Sequence, residues 1–600
     1  MRLGLDIGST YSTLARYVAG EDEVKGLTLS EGSPCSIPSA VAVAGDDDWA
    51  FGSAALDMIG DGDVYERFKM LILEENNDEI LRQNGYDSGE RSPRKILTAY
   101  LTNLLSAMMN RYEKGGRIDK LVACVPEEWD KSFRHLDGRN ILRSILINDV
   151  TYCGGHRMKP EDVQIVTEPE AASAYFAHQY QKKANKPFRG HLLLIDFGGG
   201  TLDITLSRIY SNGDGQMEIE SSEHGGCGEN HKNKDGTFQI GCAGIAYMQQ
   251  ILRYALEDAA GDAENPNFPE TFRYDPTDPD FAVAFKRLES KLKSPFDPNG
   301  NNRIEIAFAP FEDYSNFKKI LTDPKYEDPK IGKFCEIRYG RKPLTITYRQ
   351  IYRAYRDIIA QPLRKELIKI TDKVKKYLEK DADGAERNPR KPAQGLQEDF
   401  KIALVGGFAN FYLVQAQIYD FYNIDPDSEM DGRLKNIDAA KMEMAIACGA
   451  ALIAADKVKL KKLAPLSMGL RLSNGGDGYE DLYAIRYHQP IVPNRPYYLL
   501  RQNAVEDTIT NRVKLIGVTG ITEFVIRDDE TLDKGGIRAL LKEEFQKKFA
   551  GLSGNCLYYF GLSMDENGIY SFHVEPTDNP NGAKKVQLAS FQEMMELQGV

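Results

Sequence analysis

Two short segments carry residue types suited to a phosphate chain and its cation. The first is Asp6-Ile7-Gly8-Ser9-Thr10; the second runs from Asp196 through Gly198-Gly199-Gly200-Thr201 to Asp203. Backbone N–H groups must approach phosphate closely, and a tight Gly/Ser/Thr turn both permits this and forms an anion-binding concavity. The divalent ion that accompanies a nucleoside triphosphate takes oxygen ligands, from carboxylates and water. Each segment supplies both features, so two such turns from two lobes would clasp one phosphate chain. Gly406-Gly407, between an apolar run at Ile402–Val405 and a helix-like segment, would meet the adenosine end. A single Asp-x-Gly-x-Thr turn or Gly-Gly pair is commonplace. The three together, in this order, specify nucleotide binding.

The elements around these turns repeat. Leu3–Asp6 and Ser12–Val18 read as a hairpin, and Leu192–Ile209 repeats the pattern. Two related hairpins so far apart predict a duplicated domain, since solenoid repeats recur every ~20–50 residues. Ser92-Pro93 opens a helix with Leu97, Leu101, Leu104 and Met108 on one face, closed by Gly115-Gly116. Leu121–Val125 is a strand stopped by Pro126, Ile165-Val166 is another, and Glu168-Pro169 opens a small-residue helix through Ala177. Helical periodicity runs from Tyr348 to about Glu379, with a kink expected at Pro362, and an alanine-rich helix covers Ala439–Asp456. Residues 258–280 and 380–399 lack apolar periodicity and read as solvated insertions. Val458–Leu463 reads as a linker or short strand. Short β-like runs follow to about residue 580, interrupted by a helix-like stretch at Lys534–Ala550.

Composition bounds the alternatives. A chain of 600 residues, 42% apolar and 28% charged, is ordinary globular protein, not collagen-like, coiled-coil or wholly disordered. A net charge of −13 argues against nucleic-acid partners. The small-apolar run Ala445–Ala455 is shorter than the about 20 residues a membrane span needs, and no charged-then-apolar leader precedes Leu3. The 8 cysteines include no Cys-x-x-Cys pair, which points to a reducing, cytoplasmic setting. His224, Cys227, His231 and Cys242 have the donor types of a zinc site, but their spacing matches no common zinc module and the segment reads as a loop insertion.

At these residues the chain resembles the heat-shock protein 70 (DnaK-like) family of the actin, hexokinase and heat-shock ATPase superfamily. The resemblance is carried by LGLDIGSTYS at 3–12, ACVPEEW at 123–129, IVTEPEAASAY at 165–175, LLIDFGGGTLDI at 193–204, ALVGGFA at 403–409 and ACGAAL at 447–452. APLSMGL at 464–470, IVP at 491–493 and MDENGIYSFHVEPTD at 564–578 are similar to pieces of the family's peptide-binding β sandwich. The long insertions look most like the divergent branch typified by heat-shock protein 12A. The resemblance implies an α/β fold: a bilobal actin-like ATPase with duplicated ribonuclease-H-like cores, then a small, mostly β sandwich. Its implied divisions are lobe I at 1–184 with an insertion about 36–115, and lobe II at 185–456 with an insertion about 223–345. A linker at 457–463, a β sandwich at 464–580 and a tail at 581–600 without the full helical lid, holding at most one helix over Val586–Leu597, complete them.

Carried over residue by residue, the resemblance implies ATP or ADP with magnesium as cofactors. Gly8, Ser9, Thr10 and Tyr11 fall on the first phosphate turn, and Gly198, Gly199, Gly200 and Thr201 on the second. Gly406, Gly407 and Phe408 fall on the adenosine loop, and Lys293 near the position that packs on adenine. Lys69, Asp196, Glu168 and Thr201 fall on catalytic positions: Lys69 to position water, Asp196 to orient or deprotonate it. Asp6, Asp203 and Glu168 fall on the metal side, acting largely through water. The implied function is slow ATP hydrolysis coupled to binding of polypeptide clients, with a nucleotide-exchange factor as partner. Gln164 replaces the arginine used with J-domain partners, and Lys459, Lys461 and Lys462 replace an acid-flanked linker. Both departures tell against J-domain dependence and standard coupling, the lysines being unable to dock on a basic surface. The competing readings are a filament-forming actin-like protein, a nucleotide-sensing pseudo-ATPase and, more remotely, a sugar-kinase-type phosphotransferase.

Overall fold

A computed structural model of the chain describes residues 1–45, 48–59, 61–131, 137–211, 216–227, 231–232, 238–239, 243–260, 279–293, 333–378, 399–409, 411–424, 433, 444–473, 479–501, 504, 506–516, 523–527, 537–541, 556–578, 582–587 and 595–598. The first hairpin pairs Arg2–Ile7 with Tyr11–Val18, Asp6 lying opposite Thr13. Lys120–Val125 lies parallel to Arg2–Ile7, and Val163–Thr167 lies parallel to it in turn. The second hairpin pairs Gly190–Phe197 with Leu202–Ser211, and Asp399–Val405 lies parallel to its first strand. Both lobes thus place a hairpin beside a parallel strand; one face of the first sheet has an apolar core of its own, and its other face joins the core of the second sheet. Gly190–Phe197 is buried along its whole length, as its unbroken apolar run requires of a strand covered on both faces.

Helices position the hairpins. Ser92 caps Pro93–Tyr112 by accepting the Lys95 N–H, and Leu97, Leu101, Leu104 and Met108 are buried. The alanine-rich helix Ala445–Ala454 is buried all round, between strand Arg2–Ile7 and helix Glu168–Ala184. Small residues allow that approach. A Cβ on Gly4 would lie 2.1 Å from the Ala447 carbonyl oxygen, and one on Gly449 only 1.6 Å from that of Ala171. The helical stretch from Tyr348 is three pieces, Tyr348–Tyr355, a π turn Arg356–Ala360 and Gln361–Val374. Pro362 falls in the first turn of the last piece, where its missing N–H is tolerated, and the wider turn before it takes up the irregularity.

Beyond Ala464 two antiparallel sheets face one another. One holds Ser467–Ser473, Tyr479–Ile485, Glu523–Arg527, Ile537–Leu541 and Met595–Gln598; the other holds Tyr497–Tyr498, Lys514–Ile516, Leu557–Met564, Tyr570–Pro576 and Lys584–Gln587. Phe524 and Phe572 meet edge to face at 5.6 Å between them. Two expectations are corrected. Ile537–Leu541, within the helix-like stretch, is a strand, and the 586–597 region contributes strand residues rather than a helix. Their short apolar runs fit either period, and pairing with Glu523–Ile526 and with Ser571–Val574 decides it. Residues 542–550 and 588–594 lie outside the described residues, as do most of both solvated insertions.

The segment read as a linker is also placed by pairing. Val458–Lys461 adds a parallel strand to the lobe II sheet beside Met217–Glu220.

Candidate functional site

The two glycine turns close in the same way. The Gly8 N–H donates to the Tyr11 carbonyl at 3.0 Å, and the Gly198 N–H to the Thr201 carbonyl at 2.9 Å. A Cβ on Gly8 would lie 2.2 Å from the Tyr11 oxygen, so the turn needs glycine there. The turns face each other: a Cβ on Gly199 would be 3.0 Å from Thr10 Oγ1, and one on Gly200 3.2 Å from Ser9 Oγ. Between the lobes lies a cleft, partly open to solvent, lined by both turns, Asp6, Lys69, Glu168, Asp196, Gly406 and Gly407. Gly406 has φ +88, and a Cβ there would lie 2.4 Å from Asp196 Oδ1.

Buried charge concentrates on this cleft. Lys69 sits on the short helix Phe68–Leu71 and ion-pairs with Glu168. Glu168 opens helix Glu168–Ala184 behind a capping box, in which Thr167 Oγ1 accepts the Glu170 N–H and Glu170 Oε2 accepts the Thr167 N–H at 2.9 Å. Burial, then the Glu168 charge, push the Asp6 carboxyl up to about 7 against the opposing pull of Lys69. Burial and the charges of Glu168, Asp203 and Asp6 hold the Asp196 carboxyl well above the usual range. Its Oδ2 is buried with no hydrogen-bond partner among the described residues. Burial pulls the Lys69 ammonium down, but Glu168 and Asp6 outweigh it and the group is held above its ordinary value. Asp6, Glu168, Asp196 and Asp203 are all buried around the one Lys69, an excess of acid that a cation would offset. Among the described residues no three His, Cys, Asp or Glu side chains converge to ligate an ion directly. Carboxylate oxygens are the donor type that magnesium takes, together with water.

Of the residues singled out in the sequence, Asp6, Gly8, Ser9, Thr10, Tyr11, Lys69, Glu168, Asp196, Gly198, Gly199, Gly200, Thr201, Gly406 and Gly407 line this one cleft. Asp203 lies opposite Asp196 in the hairpin, buried. Phe408 lies in the lobe II core instead, 5.9 Å from the Phe197 ring and 6.0 Å from that of Tyr247. Lys293 ends helix Pro279–Lys293, and its side chain lies outside the described residues. Thr13, Ser36, Met70, Pro126 and Ile446 also line the cleft and were not singled out. Pro126 had a signal, since the strand parallel to Arg2–Ile7 must end at the same level as Asp6. His224 lies with Nδ1 2.9 Å from Glu127 Oε1, whereas the side chains of Cys227, His231 and Cys242 lie outside the described residues.

The β module docks on both lobes. Arg139, fully buried, donates from Nη1 to the carbonyls of Ile165 at 3.1 Å and Asn567 at 2.8 Å, and Asn567 Oδ1 accepts the Ile165 N–H at 2.9 Å. The outer edge of strand Val163–Thr167 is thereby satisfied by a turn of the module. Lys462 Nζ reaches both Glu170 oxygens, at 2.8 and 2.9 Å. Burial raises the Glu170 carboxyl, but Lys462 and Arg139 outweigh it and hold the group low. On lobe II, the Tyr377 hydroxyl donates to Glu223 at 2.8 Å and lies 3.2 Å from His488 Nδ1. Lys462 therefore docks on an acid of lobe I, a different contact from the basic surface that an acid-flanked linker would use.

No family model matches the chain. It is 22% identical over 531 residues to the chaperone protein DnaK of Thermotoga neapolitana, covering 88% of this chain and 69% of that one. It is 25% identical over 257 residues to a heat shock protein homolog of Encephalitozoon cuniculi, 35% of each chain. It is 23% identical over 235 residues to the movement protein Hsp70h of Lettuce infectious yellows virus, 35% of this chain and 38% of that one. The chain thus spans little more than a third of the length of the last two. Among the described residues no helix is long and apolar enough to cross a membrane. The mixed α/β lobes, the antiparallel sheets after them and these matches make the chain a distant relative of heat-shock protein 70 and DnaK chaperones.

Proposed function

We propose that this protein binds ATP with magnesium between its two glycine turns, hydrolyses it slowly, and couples nucleotide state to polypeptide binding in the β module. The observation that carries the reading is the pair of identically closed turns facing one another over four buried acids and one buried lysine. Magnesium would be held through water by Asp6, Asp203 and Glu168, and when bound it neutralises charge on the phosphates. Lys69, kept charged and aimed by Glu168, would meet a γ-phosphate and position water. Asp196, with one buried oxygen to spare, is suited to accept a proton from that water. Phosphoryl transfer passes through a loose transition state, so positioning and charge neutralisation supply most of the catalysis. The long insertions favour a divergent branch such as that of heat-shock protein 12A. The test is phosphate release from ATP and magnesium with no acceptor added. Slow release is expected, and release only on addition of a sugar, or sedimentable filaments with ATP, would favour the competing readings.

A further inference from the structure

The two hairpins that carry the glycine turns correspond residue for residue. Asp6 matches Asp196, Gly8 matches Gly198 and Tyr11 matches Thr201; Thr13, opposite Asp6, matches Asp203, opposite Asp196. Directly opposite residues of an antiparallel pair point to one face, their Cβ atoms about 4.5–5.5 Å apart. Thr13 therefore stands beside Asp6 on the cleft side. It lines the cleft and is 2% exposed. Its Oγ1 is buried with no hydrogen-bond partner among the described residues. Ser12, one residue earlier and on the other face, shows the usual outcome, its hydroxyl lying 2.8 Å from that of Ser39. A buried hydroxyl without a protein partner is uncommon and calls for a water or an ion. On its other side Asp6 lies level with Cys124, whose thiol is a weak hydrogen-bonding group and a soft ligand. The oxygen beside Asp6 in this sheet therefore comes from Thr13. In lobe II the same places are held by Asp203, Asp196 and Val405. Each lobe thus sets one oxygen-bearing residue beside its cleft aspartate, an acid in lobe II and a neutral hydroxyl in lobe I.

We propose that Thr13 is a positioning residue of the cation site, its hydroxyl holding one water of the magnesium ion beside Asp6. The inference rests on the ATP and magnesium reading above and adds a residue to it. A water bound to a cation turns both protons outward, and Asp6 with Thr13 Oγ1 supplies two acceptors side by side. The threonine accepts without adding a further negative charge to the acids already buried there. Its own proton remains free to donate to a second oxygen.

The test compares Thr13→Val, which keeps the shape and removes the hydroxyl, with Thr13→Ser, which keeps the hydroxyl. Manganese shares the preference of magnesium for oxygen donors, and its uptake by nucleotide-free protein is followed through the paramagnetic resonance signal of the free ion. The second readout is the ratio of ATP affinities measured with magnesium and with a chelator. Groups that orient a metal's ligands are worth about 10–100-fold in metal affinity, and one neutral hydroxyl belongs at the lower end. Thr13→Val should therefore weaken manganese uptake and lower the ATP ratio, each by roughly tenfold, while Thr13→Ser stays close to wild type. The metal-free Thr13→Val protein should melt no lower than wild type, because it loses a buried hydroxyl rather than a contact. A melting point that falls together with cation binding makes Thr13 structural and overturns the proposal. Wherever the wild-type protein responds to the cation, a Thr13→Val variant that responds equally overturns it, as does a Thr13→Ser variant that has lost as much. A wild-type protein that binds no ATP, yet takes up manganese in a Thr13-dependent way, overturns the ATP-binding reading and leaves the placement of Thr13 standing. A wild-type protein that responds to the cation in neither measurement overturns both.

Discussion

At the scale of single residues, the cleft is governed by how much acid it buries. Asp6 keeps its proton up to about pH 7 when folded, against an ordinary value of 3.8. The folded chain then binds more protons than the unfolded one between those values, so stability falls as pH rises through that window. Asp6→Asn should flatten this part of a denaturation-versus-pH curve, and an unchanged slope would place the proton elsewhere. Bringing in a cation favours the ionised form, so magnesium–ATP should expel protons on binding near pH 6.5. Calorimetry in buffers of different ionisation enthalpy reads this directly: the apparent heat should depend on buffer, and less so in Asp6→Asn. Lys69→Ala and Asp196→Asn should each lower turnover by roughly 10²–10⁴-fold, the scale of a positioned acid or base. ATP binding should persist in both, since the glycine turns are untouched. Wild-type turnover in either variant removes that residue from the chemistry. These positions were readable because phosphate chemistry restricts both residue type and spacing. Thr13, Ser36 and Met70 were not, because their types are unremarkable and only the fold brings them to the cleft.

At the scale of elements, glycine and alanine decide how the lobes meet. Helix Ala445–Ala454 touches strand Arg2–Ile7 and helix Glu168–Ala184 at backbone distance, which only small residues allow. Gly449→Val would drive a side chain into the Ala171 carbonyl, and overpacking of this kind costs on the order of 3 kcal/mol. A thermal melt should drop by several degrees, while Gly20→Ala, with open space around it, should melt as the wild type does. Equal melting of the two variants would mean the helices are free to separate at Gly449. The hairpins and capped helices were legible from sequence because their signals are local: Ser92 before Pro93, or alternation broken by a glycine turn. Ile537–Leu541 was not, because five residues with apolar positions at both ends satisfy either period until a neighbouring strand is known. The same holds for Val458–Lys461, whose lysines look solvated until Met217–Glu220 is placed beside them.

At the scale of the whole molecule, the first turn of helix Glu168–Ala184 belongs to two interfaces at once. Glu168 faces the cleft and Lys69, while Glu170, two residues on, holds Lys462 and closes the capping box. Any shift that repositions Glu168 must move the capping box, and with it the anchor of the segment leading to the β module. The pair is nearly dry, with side chains 10% and 9% exposed, and breaking a buried pair costs about 3–5 kcal/mol because one charge stays behind uncompensated. Arg139–Asn567 and Tyr377–His488 remain on either side, so the module should loosen at the linker before it detaches. Lys462→Glu should therefore expose residues 457–463 to protease with or without ATP. In the wild-type protein cleavage there should depend on nucleotide. The double exchange, Lys462→Glu with Glu170→Lys, should not restore protection, because a lysine at 170 cannot accept the Thr167 N–H and would lie beside Arg139. The capping box supplies an internal control. Glu170→Gln keeps an acceptor for the Thr167 N–H but abolishes the ion pair, so it should loosen the linker while ATP turnover falls less than in Lys69→Ala. If Lys462→Glu is as protected as the wild type, the linker is held by its strand pairing with Met217–Glu220 alone, and Glu170 carries no signal between the cleft and the module.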